Sequence, residues 1–145
     1  MTELDDFVTQ TVKRHIDAGD VMHNGDATPL IETLSETDPV TLFPALAPAK
    51  SGWDEVSRNF RWVASRFSNG TPLTFDVVAA GVSGDLAYLV GYERCSVSID
   101  SGPVQPSNLR VTHVYRREEG EWKLVHRHGS YEPSTQSPAK EDSTL

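Results

Sequence analysis

Along the chain the spacing of apolar residues changes period once: it is helical up to residue 67 and two from residue 72 onward. Leu4, Phe7, Val8, Thr11, Val12, His15 and Ile16 share one face of a helix over 4–18, opened by Thr2 with Asp5 three residues on. The Gly- and Asp-rich run DAGDVMHNGDATP ends it, and Asp26 reads there as a loop or cap residue. A second, shorter helix starts at Thr28, with Pro29 in its first turn and Leu30, Ile31 and Leu34 on its buried side. PVTLFPAL (39–46) reads as a short strand, and Pro44, which cannot donate to a ladder, places it at an edge or a bent end. Behind Ser51-Gly52, residues Trp53, Val56, Phe60, Val63 and Phe67 alternate steps of three and four. That is the clearest helix in the chain, with Asp54 and Glu55 where the helix dipole favours acids.

Four strands follow: PLTFDVVAAGV, LAYLVGYERCSVSI, LRVTHVYRR and EWKLVHRHGSY. Their connections are Ser83-Gly84, the loop DSGPVQPSN, and Glu118-Glu119-Gly120. Short helices followed by an antiparallel meander predict an α+β fold. Residues 1–131 form one domain in this reading, and 132–145, an acidic stretch poor in apolar residues, form a disordered tail.

Composition narrows the function classes. The net charge is −8, but it is unevenly spread: residues 1–57 hold 11 acids against 3 bases, and residues 58–131 hold 7 against 9. No basic stripe marks a nucleic-acid surface. Cys95 is the only cysteine, which excludes an intrachain disulfide and a thiolate metal cluster. The start MTELDDFVTQ lacks a signal-peptide pattern and no apolar run reaches the ~20 residues of a membrane span. A soluble, cytoplasmic protein is expected.

Four segments carry a resemblance: HNGDATPLIETLSETDPVTLF (23–43), SGWDEVSRNF (51–60), GDLAYLVGYER (84–94) and, above all, RVTHVYRREEGEWKLVHRHGS (110–130). Together they resemble the nuclear transport factor 2-like superfamily, the domain shared with ketosteroid isomerase and SnoaL-type cyclases, over residues 4–131. The last segment also resembles the closing hairpin of the calcium/calmodulin-dependent kinase II association domain. The resemblance implies N-terminal helices packed on a strongly curved, mainly antiparallel sheet that encloses a conical pocket. It does not fix a function, because this fold hosts isomerases, cyclases, dehydratases and non-catalytic oligomerisation domains.

The histidines of the last hairpin depend on its register. With Glu118-Glu119-Gly120 as a three-residue loop, Arg117 pairs with Glu121 and His113 with Val125. One face then carries Arg110, Thr112, Val114, Trp122, Leu124, His126 and His128. The other carries Leu109, Val111, His113, Tyr115, Val125, Arg127 and Gly129. His126-x-His128 could hold a metal from one strand, but no third ligand is apparent, and a subunit-pairing or surface role is the plainer reading. No metal or other cofactor is assigned.

The resemblance implies that the His113 face lines the cone. Tyr88, Val90, Tyr92 and Arg94 are expected to share it, with Val111, Arg127 and Gly129; His15, Phe43 and Phe60 complete the expected ligand contacts. His113 is the expected proton shuttle, set against its reading as a buried histidine bonded to a tyrosine or to His15. The steroid isomerase set does not carry over: Phe43 stands where its carboxylate base would be, and the first helix holds no tyrosine. The expectation is a cone that binds a small apolar or oxygenated molecule, without an evident carboxylate base. It acts as an isomerase, cyclase or lyase, or alternatively as a non-catalytic ligand-binding or oligomerisation module. Under either reading a homodimer forms through the outer sheet face.

Overall fold

The computed structural model describes residues 1–133, so most of the expected tail lies outside the described residues. Helix α1 spans Glu3–Met22, with Thr2 and Asp5 closing a reciprocal capping box. Its inner face, Phe7, Thr11, His15, Ala18 and Met22, is buried, and the Thr11 hydroxyl is satisfied by the Phe7 carbonyl. The helix runs one turn past its expected end because Gly19 is a packing residue rather than a breaker. A Cβ at Gly19 would come within 2.7 Å of the Leu73 side chain, so α1 lies close against the sheet there. Asp20 fixes the approach by accepting from the Leu73 amide at 2.7 Å.

The short α2 (Thr28–Glu32) and α3 (Trp53–Arg66) complete the helical layer. Between them lie β1 (Thr41–Phe43) and β2 (Lys50–Ser51), and β3 (Phe67–Ser68) follows α3. The long strands are β4 (Thr74–Ser83), β5 (Leu86–Ile99), β6 (Gln105–Glu118) and β7 (Glu121–Tyr131). The sheet order is β2-β1-β7-β6-β5-β3, with β4 also paired to β5. The β1–β7 pair is parallel and the other pairs are antiparallel, so β1 is an interior strand, not an edge.

Two bulges curl this sheet around the helices. One inserts Val78 into β4; the other inserts Val125 into β7 opposite the Val114–Tyr115 step. At the hairpin tip the loop is two residues, not three: Glu118 pairs with Glu121, and Glu119 and Gly120 both take positive φ. The bulge then shifts the pairing, so His113 lies opposite Arg127 rather than Val125. It also divides the faces of β7. Trp122 and Leu124 turn inward to meet Tyr115 and Phe7, against the expectation that they share the outer face with His126 and His128. The core forms between α1, α3 and this concave face. Among the described residues no helix is long and apolar enough to cross a membrane.

Candidate functional site

Residues directly opposite in an antiparallel pair share a face. Leu89 pairs with His113, Gly91 with Val111 and Glu93 with Leu109, so the odd-numbered residues of β5 turn into the cone with Ala87. Tyr88, Val90, Tyr92 and Arg94 were expected there and instead lie on the outer face. Tyr88 is 46% exposed, and Arg94 stacks on Tyr92 while pairing with the exposed Asp76 at 3.0 Å. The larger side chains of β5 face out because the inner space over Gly91 is taken by the Phe75 ring, whose Cε1 would sit 2.5 Å from a Cβ at that position.

The inward face of β5 carries a carboxylate that the sequence reading did not identify. Glu93 is buried and accepts from Arg127 through both oxygens, at 2.6 Å to Nη1 and 3.1 Å to Nη2. The same Glu93 oxygen accepts from His15 Nε2 on α1 at 2.6 Å. Arg127 Nη1 also reaches His113 Nε2 at 2.9 Å. A guanidinium can only donate, so His113 Nε2 accepts and its proton sits on Nδ1, donated to the Tyr115 hydroxyl at 2.9 Å. The His15 and His113 rings meet edge to face, 4.7 Å between centroids.

This network is tuned by burial and by its own charges. Burial alone would raise Glu93, but the Arg127 charge and the hydrogen bonds from His15 and Arg127 hold its carboxyl well below the usual range. Burial, His15 and Arg127 together push His113 well below the ordinary histidine value, so it is neutral. Burial raises the Tyr115 hydroxyl as well. His15, Glu93 and His113 place ligand atoms within 4.8 Å of one another. Glu93 and His113 already accept from Arg127, a cation built into the chain, and His15 Nε2 is bonded to Glu93, so the arrangement does not fit a metal ion.

Above the network opens a cavity of about 150 Å³. His15, Glu93 and Arg127 form its polar floor, and Met22, Leu30, Phe60, Val63, Leu73 and Leu109 supply apolar wall. His15, Arg127 and Phe60 therefore border it as expected. His113 does not: it is fully buried behind Arg127, one layer below the cavity. Val111 and Gly129 are buried on the same inward face without reaching the cavity, and Phe43 lies outside, packed edge-on against His126 and His128. His126 Nδ1 bonds the Thr41 hydroxyl at 2.7 Å, so this pair serves the outer face of β1 and β7.

Two groups reach the cavity with unused valence. No sealed side-chain nitrogen or oxygen among the described residues lacks a partner. His15 Nε2 is bonded to Glu93, Nδ1 has no hydrogen-bond partner among the described residues, and the ring borders the cavity. Likewise the end-on pairing of Arg127 with Glu93 leaves its Nε–H edge open. The site can thus take a proton at His15 and donate a hydrogen bond to an oxygen from Arg127. The readable signal for Glu93 was Arg127 itself, because a buried arginine needs a buried carboxylate.

Residues 9–133 match the SnoaL-like domain family. No curated protein matches the sequence significantly. Among solved structures, a nuclear transport factor 2-like superfamily protein from Salmonella enterica serovar Typhimurium is 21% identical, with a TM-score of 0.74, covering 92% of this chain and 94% of its own. A ketosteroid isomerase-like protein from Erwinia carotovora atroseptica is 18% identical with a TM-score of 0.73, over 88% and 95% of the two chains. A candidate dehydratase of the nuclear transport factor 2-like family from Streptomyces avermitilis is 22% identical with a TM-score of 0.64, over 87% and 99%. At these identities the likeness shows the fold alone.

Proposed function

Since the chain belongs to the SnoaL-like domain family, we propose that its cone binds a small oxygenated, largely apolar molecule and that His15 moves a proton on it. The observation that carries this is the open Nδ1 of His15, in an apolar cavity, with Nε2 held by a carboxylate that is itself neutralised by Arg127. Glu93 is not the base, because Arg127 and His15 hold its carboxyl well below the usual range; it fixes the orientation of the His15 ring. With a carbonyl compound bound, the proton next to the carbonyl passes to His15 Nδ1 and the resulting enolate oxygen is held by Arg127 Nε–H. Return of that proton from His15 to the far carbon of a conjugated enolate is an isomerisation; its delivery instead to a β-hydroxyl, which leaves as water while the enolate becomes the α,β-unsaturated carbonyl, is a lyase reaction. The candidate dehydratase among the structural relatives is in keeping with the second outcome. His113 and Tyr115 act through Arg127 as positioning residues.

The test needs no natural substrate. The protein is incubated with cyclohexanone in D₂O, and loss of the proton signals next to the carbonyl is followed by NMR. Exchange above the buffer rate that falls roughly 10²–10⁴-fold in His15→Gln supports the reading. Wild-type exchange equal to that of His15→Gln moves the assignment to a non-catalytic ligand-binding module.

We also propose that the outer face pairs two copies of the chain. Phe43, Tyr88, Val90 and Val114 give this face an apolar centre, beside which His126 and His128 pack on Phe43, and a two-fold pairing would cover it. Sedimentation of wild type as a dimer and of Phe43→Asp as a monomer is the expected result; a monomeric wild type refutes it.

A further inference from the structure

We propose that Asn59 is a specificity-determining residue whose carboxamide binds a second oxygen of the ligand, and that the ligand is an uncharged, single-ring molecule oxygenated at both ends. This rests on the proton-transfer reading above and names the substrate class for that site. Asn59 lies on the buried face of α3 among Val56, Phe60 and Ala64, and it borders the cavity. It is 8% exposed, and its carboxamide forms no hydrogen bond with any described residue. No sealed polar atom is left unpartnered, so its amide touches open space, and Asn59 lines the cavity as well as the groove at its mouth. An interior asparagine is a poorer helix former than alanine by roughly 0.5 kcal/mol. Its amide is open to water and no side chain takes it up, so a ligand oxygen that displaces that water is the partner we assign to it.

Depth separates the two polar positions. Asn59 also borders the surface groove beneath Leu46–Pro48, whereas His15 and Glu93 belong to the sealed floor. A ligand with its carbonyl on the floor therefore meets Asn59 near the mouth. The size limit comes from the volume: a cavity of about 150 Å³ holds one benzene-sized ring.

The charge limit comes from pairing. Arg127 is neutralised by Glu93 on the floor, and Arg66 at the mouth is held by Asp100 at 3.0 and 2.8 Å. His23, at the wall, is kept below its ordinary value chiefly by burial. Among the described residues no cation without a carboxylate partner borders the cavity to hold a carboxylate or phosphate.

The test is binding of three probes to the full chain by titration calorimetry: cyclohexanone, 4-hydroxycyclohexanone and 4-oxocyclohexanecarboxylate. The hydroxyketone is expected to bind roughly 3–10-fold more tightly than cyclohexanone, and the carboxylate more weakly than either. Asn59→Leu should erase the hydroxyl preference, read as the ratio of the two ketones' affinities within that variant. Should that variant fail to fold, the side-chain amide resonances of Asn59 in the wild type decide. They are expected to shift with 4-hydroxycyclohexanone and to stay in place with cyclohexanone. Equal affinities for the two ketones, a preference retained in Asn59→Leu, unmoved amide resonances or binding of neither ring overturn the proposal. Equal affinities together with His15-dependent proton exchange remove the role of Asn59 and leave the proton-transfer reading standing; a hydroxyl preference without exchange does the reverse.

Discussion

Glu93 and Arg94 are consecutive residues on one strand, and each belongs to a carboxylate–guanidinium pair. Glu93 pairs with Arg127 inside the cone, where the side chains are 5% and 15% exposed. Arg94 pairs with Asp76 on the outer face, where they are 38% and 66% exposed. The geometry of the two pairs is similar, at 2.6 and 3.0 Å, but the surroundings are opposite. Outside, water solvates each charge whether or not the partner is there, so the pair contributes little. Inside, each charge is tolerable only because the other is present, and breaking the pair strands a charge in an apolar space. The lesson is about purpose. A buried pair is a weak device for stability, and this one is placed where it holds His15 by one nitrogen and leaves the other facing the cavity.

The contrast can be broken at its strongest point first. Glu93→Ala should lower the unfolding free energy by about 3–5 kcal/mol, read from urea denaturation. Replacing both partners, Glu93→Leu with Arg127→Met, should recover most of that loss while proton exchange stays absent. A double variant as unstable as Glu93→Ala would mean that the pair anchors the fold rather than the histidine. Acid is a milder probe of the same network. The folded Glu93 carboxyl lies below its unfolded value, so its contribution is complete above the ordinary value of 4.5 and drains away as pH falls through the folded value. His113 is also depressed, so the unfolded chain binds its proton first, and stability is lost progressively as pH drops below the ordinary 6.5. Urea midpoints should therefore fall from pH 6.5 downward, and His113→Gln should flatten the first part of that fall. The outer pair marks the bottom of the scale: Asp76→Asn should change stability by no more than about 1 kcal/mol.

Much of the fold was legible because its signals are local. The two periodicities, the Thr2–Asp5 box and the helix stripe ending at Phe67 follow from spacing alone. The site was less legible, and the reason is parity. On β5 the bulky set Tyr88, Val90 and Tyr92 and the smaller set Ala87, Leu89 and Gly91 are both apolar, so hydrophobicity does not say which turns inward. The choice is made by the β5–β6 pairing and by a Phe75 ring that needs the space above Gly91, both set by distant parts of the chain. On the hairpin, a two-residue turn and a bulge change the pairing together. The turn and the bulge each move the register by one residue, so Arg127 stays on the inner face as expected while its partner changes by two, from Val111 to His113.

The bulge at Val125 works as a frame-shift within β7. Before it the even-numbered residues Trp122 and Leu124 are read into the core; after it the odd-numbered Arg127 and Gly129 are. A strand of the same sequence that paired through this point without the bulge would keep the even frame to its end, turning His126 and His128 into the cone and Arg127 out of it. Deleting Val125 does the opposite: His126 closes up against Leu124 and still faces out, and Arg127 keeps its inward place. The salt-bridged floor therefore tolerates loss of the extra residue but not its absorption into the ladder.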